Sequence, residues 1–307
     1  MTASDNAPLP PAPQTRTLPN GHLAVAAPAK INMNLLVGPR RSDGFHGVDS
    51  YVSKVTLYDF LDLHPREDGQ IRFSCSGADC GSDGQNLALR AARLLAEGRD
   101  VPGADLALLK HIPPGRGLGG GSSDAAAALV GLNELWQLGL CADDLMPLAA
   151  SLGSDVPLFL GGPACRLAGR GELISPLAVH PFWAILYLGP FACPTAEVYR
   201  AFDALPAPAG SHAWPHGQLD STLLQTPPSQ WRSRMVNQLL PAAQTVAPAL
   251  AEACRRLQGL LGVPLCMSGS GSALFVLADS PAEGQNILAA LPSDLRDHCR
   301  LVAQNPW

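Results

Sequence analysis

The chain has 307 residues, 47% of them hydrophobic and 15% charged, and a formal net charge of −5. This balance excludes a disordered protein and gives no basic face for a nucleic-acid partner, and the length suits about two domains of roughly 100–200 residues. No apolar run reaches the roughly 18–20 residues of a membrane span. The first 22 residues are proline-rich, match neither a secretory signal nor a transit peptide, and are expected to form a disordered tail outside the fold. Apolar alternation then predicts strands over 23–37, interrupted at Pro28, over 51–63 and over 71–76. Asn86 opens an amphipathic helix that Gly98 ends, and a strand over 105–112 follows. Ser122, Ser123 and Asp124 offer N-cap and first-turn chemistry to a long alanine-rich helix stopped at Gly139. A helix over 143–152 precedes strands near 164–168 and 182–188. Residues 204–230, rich in Pro, Gly and Ser, predict a long surface connection. Helices near 231–240 and 243–261, a strand–turn–strand over 264–277, a helix over 281–291 and a strand over 299–303 complete the chain. Strands and helices mixed without strict βαβ alternation predict an α+β fold, divided between about 160 and 180.

Eight cysteines occur with no CxxC spacing. In a chain of this length they are expected to be reduced, buried thiols of a cytoplasmic protein and not zinc ligands. His212 and His216 stand four apart, but within the Pro/Gly/Ser-rich segment, and read as exposed loop residues.

The segment PPGRGLGGGSS, 113–123, joins a predicted strand to a predicted helix. Glycines permit positive φ and close approach of the backbone. Successive amides then form an anion nest, and the first helical turn adds its own donors, so phosphate is the natural guest. Gly115, Gly117 and Gly120 satisfy GxGxxG. A dinucleotide site would want an acidic residue about 20 positions on, and that distance lands at 135–137, inside the helix. A P-loop would need a lysine directly after the glycines, and none is there.

Three segments in order, APAKINMNLLV at 27–37, PPGRGLGGGSSDAAA from 113 and MSGSGSALFV at 267–276, resemble the signatures of the GHMP kinases, which phosphorylate small alcohols. AKINMNL, RRSDGFHGVDS, LGSDVPLFLGG and CPTAEVY resemble a branch of that family whose acceptor is a cytidine diphosphate sugar alcohol of the non-mevalonate isoprenoid route. The similarity runs from about residue 24 to about 280. It implies a two-domain α+β GHMP kinase fold: a ribosomal protein S5 domain 2-like, ATP-binding N-terminal domain over 23–170 and a ferredoxin-like C-terminal domain over 171–307. It also implies ATP and Mg²⁺ as cofactors, a small-molecule substrate, no nucleic-acid or membrane partner, and a monomer or weak homodimer.

The resemblance assigns roles by position. Lys30 and Asp155 match the catalytic pair, Asp155 orienting the substrate hydroxyl and Lys30 stabilising the transferring phosphoryl group. Pro113, Gly115, Gly117, Leu118, Gly119, Gly120, Gly121, Ser122 and Ser123 would hold the phosphates, with Ser122 or Ser123 as a ligand to Mg²⁺. Asn86 and Lys110 would help hold adenine. Phe45 and His46 would stack on and hydrogen-bond cytosine, Tyr199 would close it from the other side, and Asn32 and Thr195 would contact substrate. Three positions depart from the family pattern: Gln238 and Leu240 stand at acidic positions beside Asn237, and Lys54 stands where an uncharged residue is usual. A kinase of a different small alcohol, a non-catalytic sensor of the same fold and a nucleotide-dependent oxidoreductase are the competing readings.

Overall fold

A computed structural model describes residues 15–18, 21–78, 85–205 and 219–307. His212, His216, Cys80, most of the N-terminal tail and part of the 204–230 connection lie outside these residues.

An eight-stranded sheet carries the first half of the chain. Its strands are β1 (Thr15–Thr17), β2 (Leu23–Asn32), β3 (Leu36–Arg40), β4 (His46–Pro65), β5 (Ile71–Gly77), β6 (Ala104–Lys110), β7 (Ala164–Ala168) and β8 (Leu173–Pro176). The main path is β1-β2-β4-β6-β5, with β3 and β7 also on β4, and β8 on β7. Only the β5–β6 pair is parallel among these ladders. The 20-residue β4 organises the sheet: its C-terminal half pairs with β6, its N-terminal half with β3 and β7, and β2 spans both halves. Pro28 cannot donate to the ladder, and the β2–β4 register shifts directly after it, so β2 bends there without ending.

Helices α1 (Leu87–Ala96), α2 (Gly120–Leu135), α3 (Ala142–Leu152) and α4 (Val156–Leu160) cover one face of this sheet. Asn86 caps α1 by accepting from the amides of Ala88 and Leu89. The alanines of α2 let it lie close on the strands, and a Cβ at Gly131 would meet Leu63 at 2.5 Å and Val25 at 2.7 Å. α2 starts two residues earlier than the serines suggest. Its N-cap is Gly119 at φ 70°, which moves Ser122 and Ser123 into the first turns and off the cap.

The second sheet holds β9 (Trp183–Tyr187), β10 (Cys266–Met267), β11 (Leu274–Ala278) and β12 (Cys299–Ala303) in the antiparallel order β10-β11-β9-β12. Helices α5 (Thr195–Ala204), α6 (Leu240–Val246), α7 (Pro248–Leu260), α8 (Pro281–Ala289) and α9 (Ser293–Arg296) complete this half. The strand order is that of the expected ferredoxin-like plait. The end of the chain ties the two sheets together: Ala303 N–H donates to Thr56 Oγ1 at 2.8 Å and Asn305 N–H to Lys54 O at 2.9 Å.

Several expectations need correction. Thr15–Thr17, assigned to the tail, pairs with Leu23–Val25. The chain leaves the first sheet after Pro176, within the 160–180 interval. Short α4 and helix α5 were not anticipated. Cys75 is held in a disulfide, so the reduced-thiol expectation fails there. Cys165, Cys193, Cys254, Cys266 and Cys299 are free and buried as expected, while free Cys141 is exposed.

Candidate active site

The glycine loop is anchored by its carbonyls. Gly117 O accepts from Ser268 Oγ at 2.8 Å, Leu118 O from Lys30 N–H at 2.9 Å, Arg116 O from Ala273 N–H at 3.0 Å and Gly115 O from Cys193 N–H at 3.5 Å. Among the described residues, the amides of 115–121 donate to no protein acceptor. Gly115, Gly117 and Gly119 all have positive φ, near 70°. A backbone alternating in this way turns its amides to one side, and the first turn of α2 continues the same set of donors. The crowding is specific: a Cβ on Gly117 would strike Ser268 O at 2.1 Å.

Lys30 sits where the three glycine-bearing or lysine-bearing segments meet. Its Nζ donates to Asn32 Oδ1 at 2.6 Å and lies 3.7 Å from Asp155 Oδ2. A Cβ on Gly119 would fall 3.1 Å from Lys30 Cγ, and one on Gly269 would fall 3.3 Å from its Nζ. The lysine therefore threads between the 115–121 loop and the turn before β11. Asp155 occupies the N-cap position of α4, yet its carboxylate makes no capping bond. It faces Lys30 with its side chain 38% exposed, against 5% for Lys30. The pair thus joins a buried cation to an accessible carboxylate.

A second cluster lies at the other end of the site. His46 is buried, its Nδ1 2.9 Å from Gly38 O and its Nε2 3.1 Å from Asp203 Oδ1. Its ring is tilted against Tyr199 with centroids 5.3 Å apart. Phe45 projects outward, 57% exposed, under the Arg170 guanidinium at 5.2 Å. Burial, and then the charge of Asp155, push the Tyr199 hydroxyl up to about 12. The Tyr199 hydroxyl thus stands within electrostatic reach of Asp155. Thr195, at the start of α5, has its Oγ1 2.8 Å from Ser270 Oγ in the turn before β11.

The chain is similar to known proteins in sequence and in fold. The model for the GHMP kinases N terminal domain matches residues 86–163, and that for GHMP kinases C terminal matches 229–297. A 4-diphosphocytidyl-2-C-methyl-D-erythritol kinase of Salinispora tropica is 37% identical over 292 residues, 92% of this chain and 90% of the relative. The chain belongs to the GHMP kinases. A 4-diphosphocytidyl-2-C-methyl-D-erythritol kinase of Shouchella clausii is also 37% identical, over 270 residues covering 87% and 90% of the two chains. A crystal structure of 4-(cytidine 5'-diphospho)-2C-methyl-D-erythritol kinase aligns with a TM-score of 0.74 at 35% identity, covering 92% of this chain and 99% of that one. Mevalonate kinase of L. major, at 16% identity and TM-score 0.59, covers 96% and 98% and shares the fold.

Some residues expected at ligands in this GHMP kinase have other duties. Lys110 is buried between Asp59 and Asp124, 2.6 Å from the latter, so two of its three donors are committed to carboxylates. Burial works against that charge, but the two carboxylates hold Lys110 above its usual range. Burial pushes the Asp124 carboxyl up to about 8, with Lys110 opposing and Asp59 reinforcing the shift. Asn32 is a buried brace and not an open contact: its Oδ1 holds Lys30, and its Nδ2 donates to Ser50 Oγ at 2.8 Å. Asn86 places its Oδ1 on the α1 amides. Ser123 is buried, with an Oγ that finds no partner, whereas Ser122 remains partly accessible.

Sequence reasoning missed Arg116, whose Nη1 donates to Ser272 Oγ at 2.9 Å and ties the phosphate loop to the turn before β11. Its place inside the glycine run was the available signal. The segment that carries the departures at 238 and 240 is tied into the fold, starting with the retained Asn237. Asn237 Nδ2 donates to Met267 O at 2.7 Å and Gly269 O at 2.8 Å. Gln238 Oε1 accepts from Val37 N–H at 2.6 Å, an acceptor's task that an amide oxygen fulfils without charge. Leu240 opens α6.

Proposed function

We propose that this chain is an ATP-dependent kinase of 4-diphosphocytidyl-2-C-methyl-D-erythritol, transferring a phosphoryl group to a hydroxyl of that sugar alcohol. The observation that carries the reading is the convergence at Lys30: an accessible carboxylate at 3.7 Å, and a loop whose carbonyls are tied down while its amides keep no protein acceptor. Phosphoryl transfer asks the protein mainly for positioning and charge stabilisation, and those are the capacities of this geometry. The 115–121 amides and the first turn of α2 hold the triphosphate. Asp155 orients the acceptor hydroxyl and takes its proton, and Lys30, braced by Asn32, faces the transferring oxygens. Phe45 offers a stacking face and Tyr199 a polar edge to the cytosine, while His46, both ring nitrogens held by Gly38 O and Asp203, backs Tyr199. Thr195 is held beside the turn before β11 by its contact with Ser270, and offers a hydroxyl there.

Mg²⁺ arriving with the triphosphate fits the oxygen donors present: the Ser122 hydroxyl in the first turn of α2 is accessible, and the buried Ser123 Oγ nearby is unpartnered. Among the described residues no group of three or more His, Cys, Asp or Glu could hold a metal unaided. The ion would neutralise phosphate charge. No described helix is long and apolar enough to cross a membrane.

A coupled ADP-release assay with 4-diphosphocytidyl-2-C-methyl-D-erythritol tests the proposal. Turnover with this acceptor is expected. Turnover only with another small alcohol would move the chain to a sister kinase, and nucleotide binding without any turnover would make it a sensor.

A further inference from the structure

Lys54 is a buried lysine that no described carboxylate pairs; of the other two, Lys30 has one and Lys110 has two. It stands directly across from Lys30 in the β2–β4 ladder, so the two side chains leave the same face of the sheet. They reach opposite ends of α4. Lys30 meets Asp155 at the N-terminal end. Lys54 Nζ donates to Gly161 O at 2.7 Å and Phe159 O at 3.3 Å at the C-terminal end. The main chain of Lys54 holds the same region: its N–H donates to Pro163 O at 2.9 Å, and its carbonyl accepts from Asn305 N–H at 2.9 Å. Phe159, whose carbonyl Lys54 grips, also lies under the phosphate loop, where its ring would meet a Cβ on Gly119 at 2.9 Å.

We propose that Lys54 is a positioning residue: by clamping the C-terminal end of α4 from the strand that faces Lys30, it sets where Asp155 stands relative to Lys30 and to the glycine loop. Helix α4 has only five residues and no side-chain cap of its own. Its placement therefore depends on what grips its ends. A core position so close to the chemistry would ordinarily take an apolar side chain, because burying an amine has a large desolvation cost. That cost is offset here by two main-chain carbonyls that would otherwise be unpartnered at the end of the helix. Burial draws the amine down to about 7, and a neutral amine still carries two N–H bonds, one for each carbonyl.

This inference rests on the reading of Asp155 as the group that takes the hydroxyl proton, and the test separates the two. Lys54→Met keeps the volume and removes both donors; Lys54→Gln keeps an amide donor; Asp155→Asn removes the base. Rates are normalised to the folded fraction measured by thermal unfolding. Lys54→Met is expected to lower kcat about 10- to 100-fold, the effect of misplacing a reacting group by about an ångström. KM for both substrates and the affinity for nucleotide should stay within about twofold, because the loop amides are untouched. Lys54→Gln should recover part of kcat. If Asp155→Asn abolishes turnover while Lys54→Met turns over at the parent rate per folded molecule, the clamp does not serve catalysis and the proposal is overturned alone. If Asp155→Asn keeps the parent rate, the reading of the site falls and the proposal with it. Failure of both Lys54 variants to fold would assign the residue to stability only, and would also overturn the positioning role.

Discussion

Two lysines from the same sheet meet aspartates, and the two meetings are built differently. Lys110, at the end of β6, lies between Asp59 and Asp124 with side-chain exposures of 6%, 0% and 3%. Asp59 also accepts the amides of His111 at 2.6 Å and Ile112 at 2.8 Å, so its oxygens are fully engaged. Lys30, near the end of β2, meets Asp155 at a looser 3.7 Å, and that carboxylate is 38% exposed. A lysine beside an aspartate is therefore not itself a sign of catalysis. The sealed cluster is closed off from solvent, with Asp124 Oδ1 its one buried oxygen that has no partner among the described residues, and its charges hold one another. The open pair has an accessible carboxylate, the feature that the proposed reaction needs.

The sharpest way to break that comparison is to remove one member from each side. Asp155→Asn is expected to lower kcat by about 10²- to 10⁴-fold, the usual contribution of a positioned base. Its unfolding free energy should change by under about 1 kcal/mol, because the Asp155 carboxylate is open to water and the buried Lys30 keeps its bond to Asn32 Oδ1. Coupled ADP release and urea unfolding measure the two quantities on one preparation. Lys110→Met should do the reverse: stability falls by about 3–5 kcal/mol because two carboxylates lose their buried cation, while the fraction that remains folded keeps its kcat within a few-fold. If Lys110→Met abolished turnover without loss of stability, the two clusters would have to exchange roles. Gly119→Ala is the next largest expected effect. Its φ of 70° costs about 1–2 kcal/mol for any residue with a Cβ, and the new Cβ would stand 2.9 Å from Phe159 Cζ and 3.1 Å from Lys30 Cγ. A raised KM for ATP together with a lowered kcat is expected; an unchanged KM would mean that the loop does not hold the nucleotide.

The difference between the two clusters could be read only in part from the sequence. The glycine run, Lys30 and Asp155 are local signals in segments whose spacing is distinctive, and the helix capped by Asn86 and the strand at 299–303 follow directly from cap chemistry and alternation. What could not be read was which partner Lys110 would find, because Asp59 lies 51 residues away and is brought to it by the β4–β6 ladder. The start of α2 was misplaced for a related reason: Gly120 is helical because it packs on Ile112, where a Cβ would come within 2.8 Å of Cγ2, and helix propensity alone favours the serines. Helix α5 gave little signal because it buries only Val198 and has no side-chain cap. The disulfide at Cys75 left no trace in the spacing pattern.

Lys54 completes the series of buried lysines, and its smaller effect can be read from pH. Burial draws its folded-state value down to about 7 from 10.5. Below pH 7 the amine is protonated in both states, and the cost of charging it in the core is fully present. As pH rises from 7 toward 10.5 the folded chain has released a proton that the unfolded chain keeps, so stability must rise with pH through that window. Between pH 7 and 8 the gain is about 1 kcal/mol, since a full proton of difference contributes about 1.4 kcal/mol per pH unit. Urea unfolding of the parent and of Lys54→Met at both pH values measures it as a difference, which cancels the titrations the two chains share. Cys165, its thiol pushed up by burial to about 11, neighbours Lys54 electrostatically and titrates too high to enter this window. A parent-minus-variant difference that stays flat from pH 7 to 8 would show that Lys54 keeps its charge in the core. Its two carbonyl partners would then be holding an ammonium, and the clamp on α4 would be stronger than a neutral amine provides.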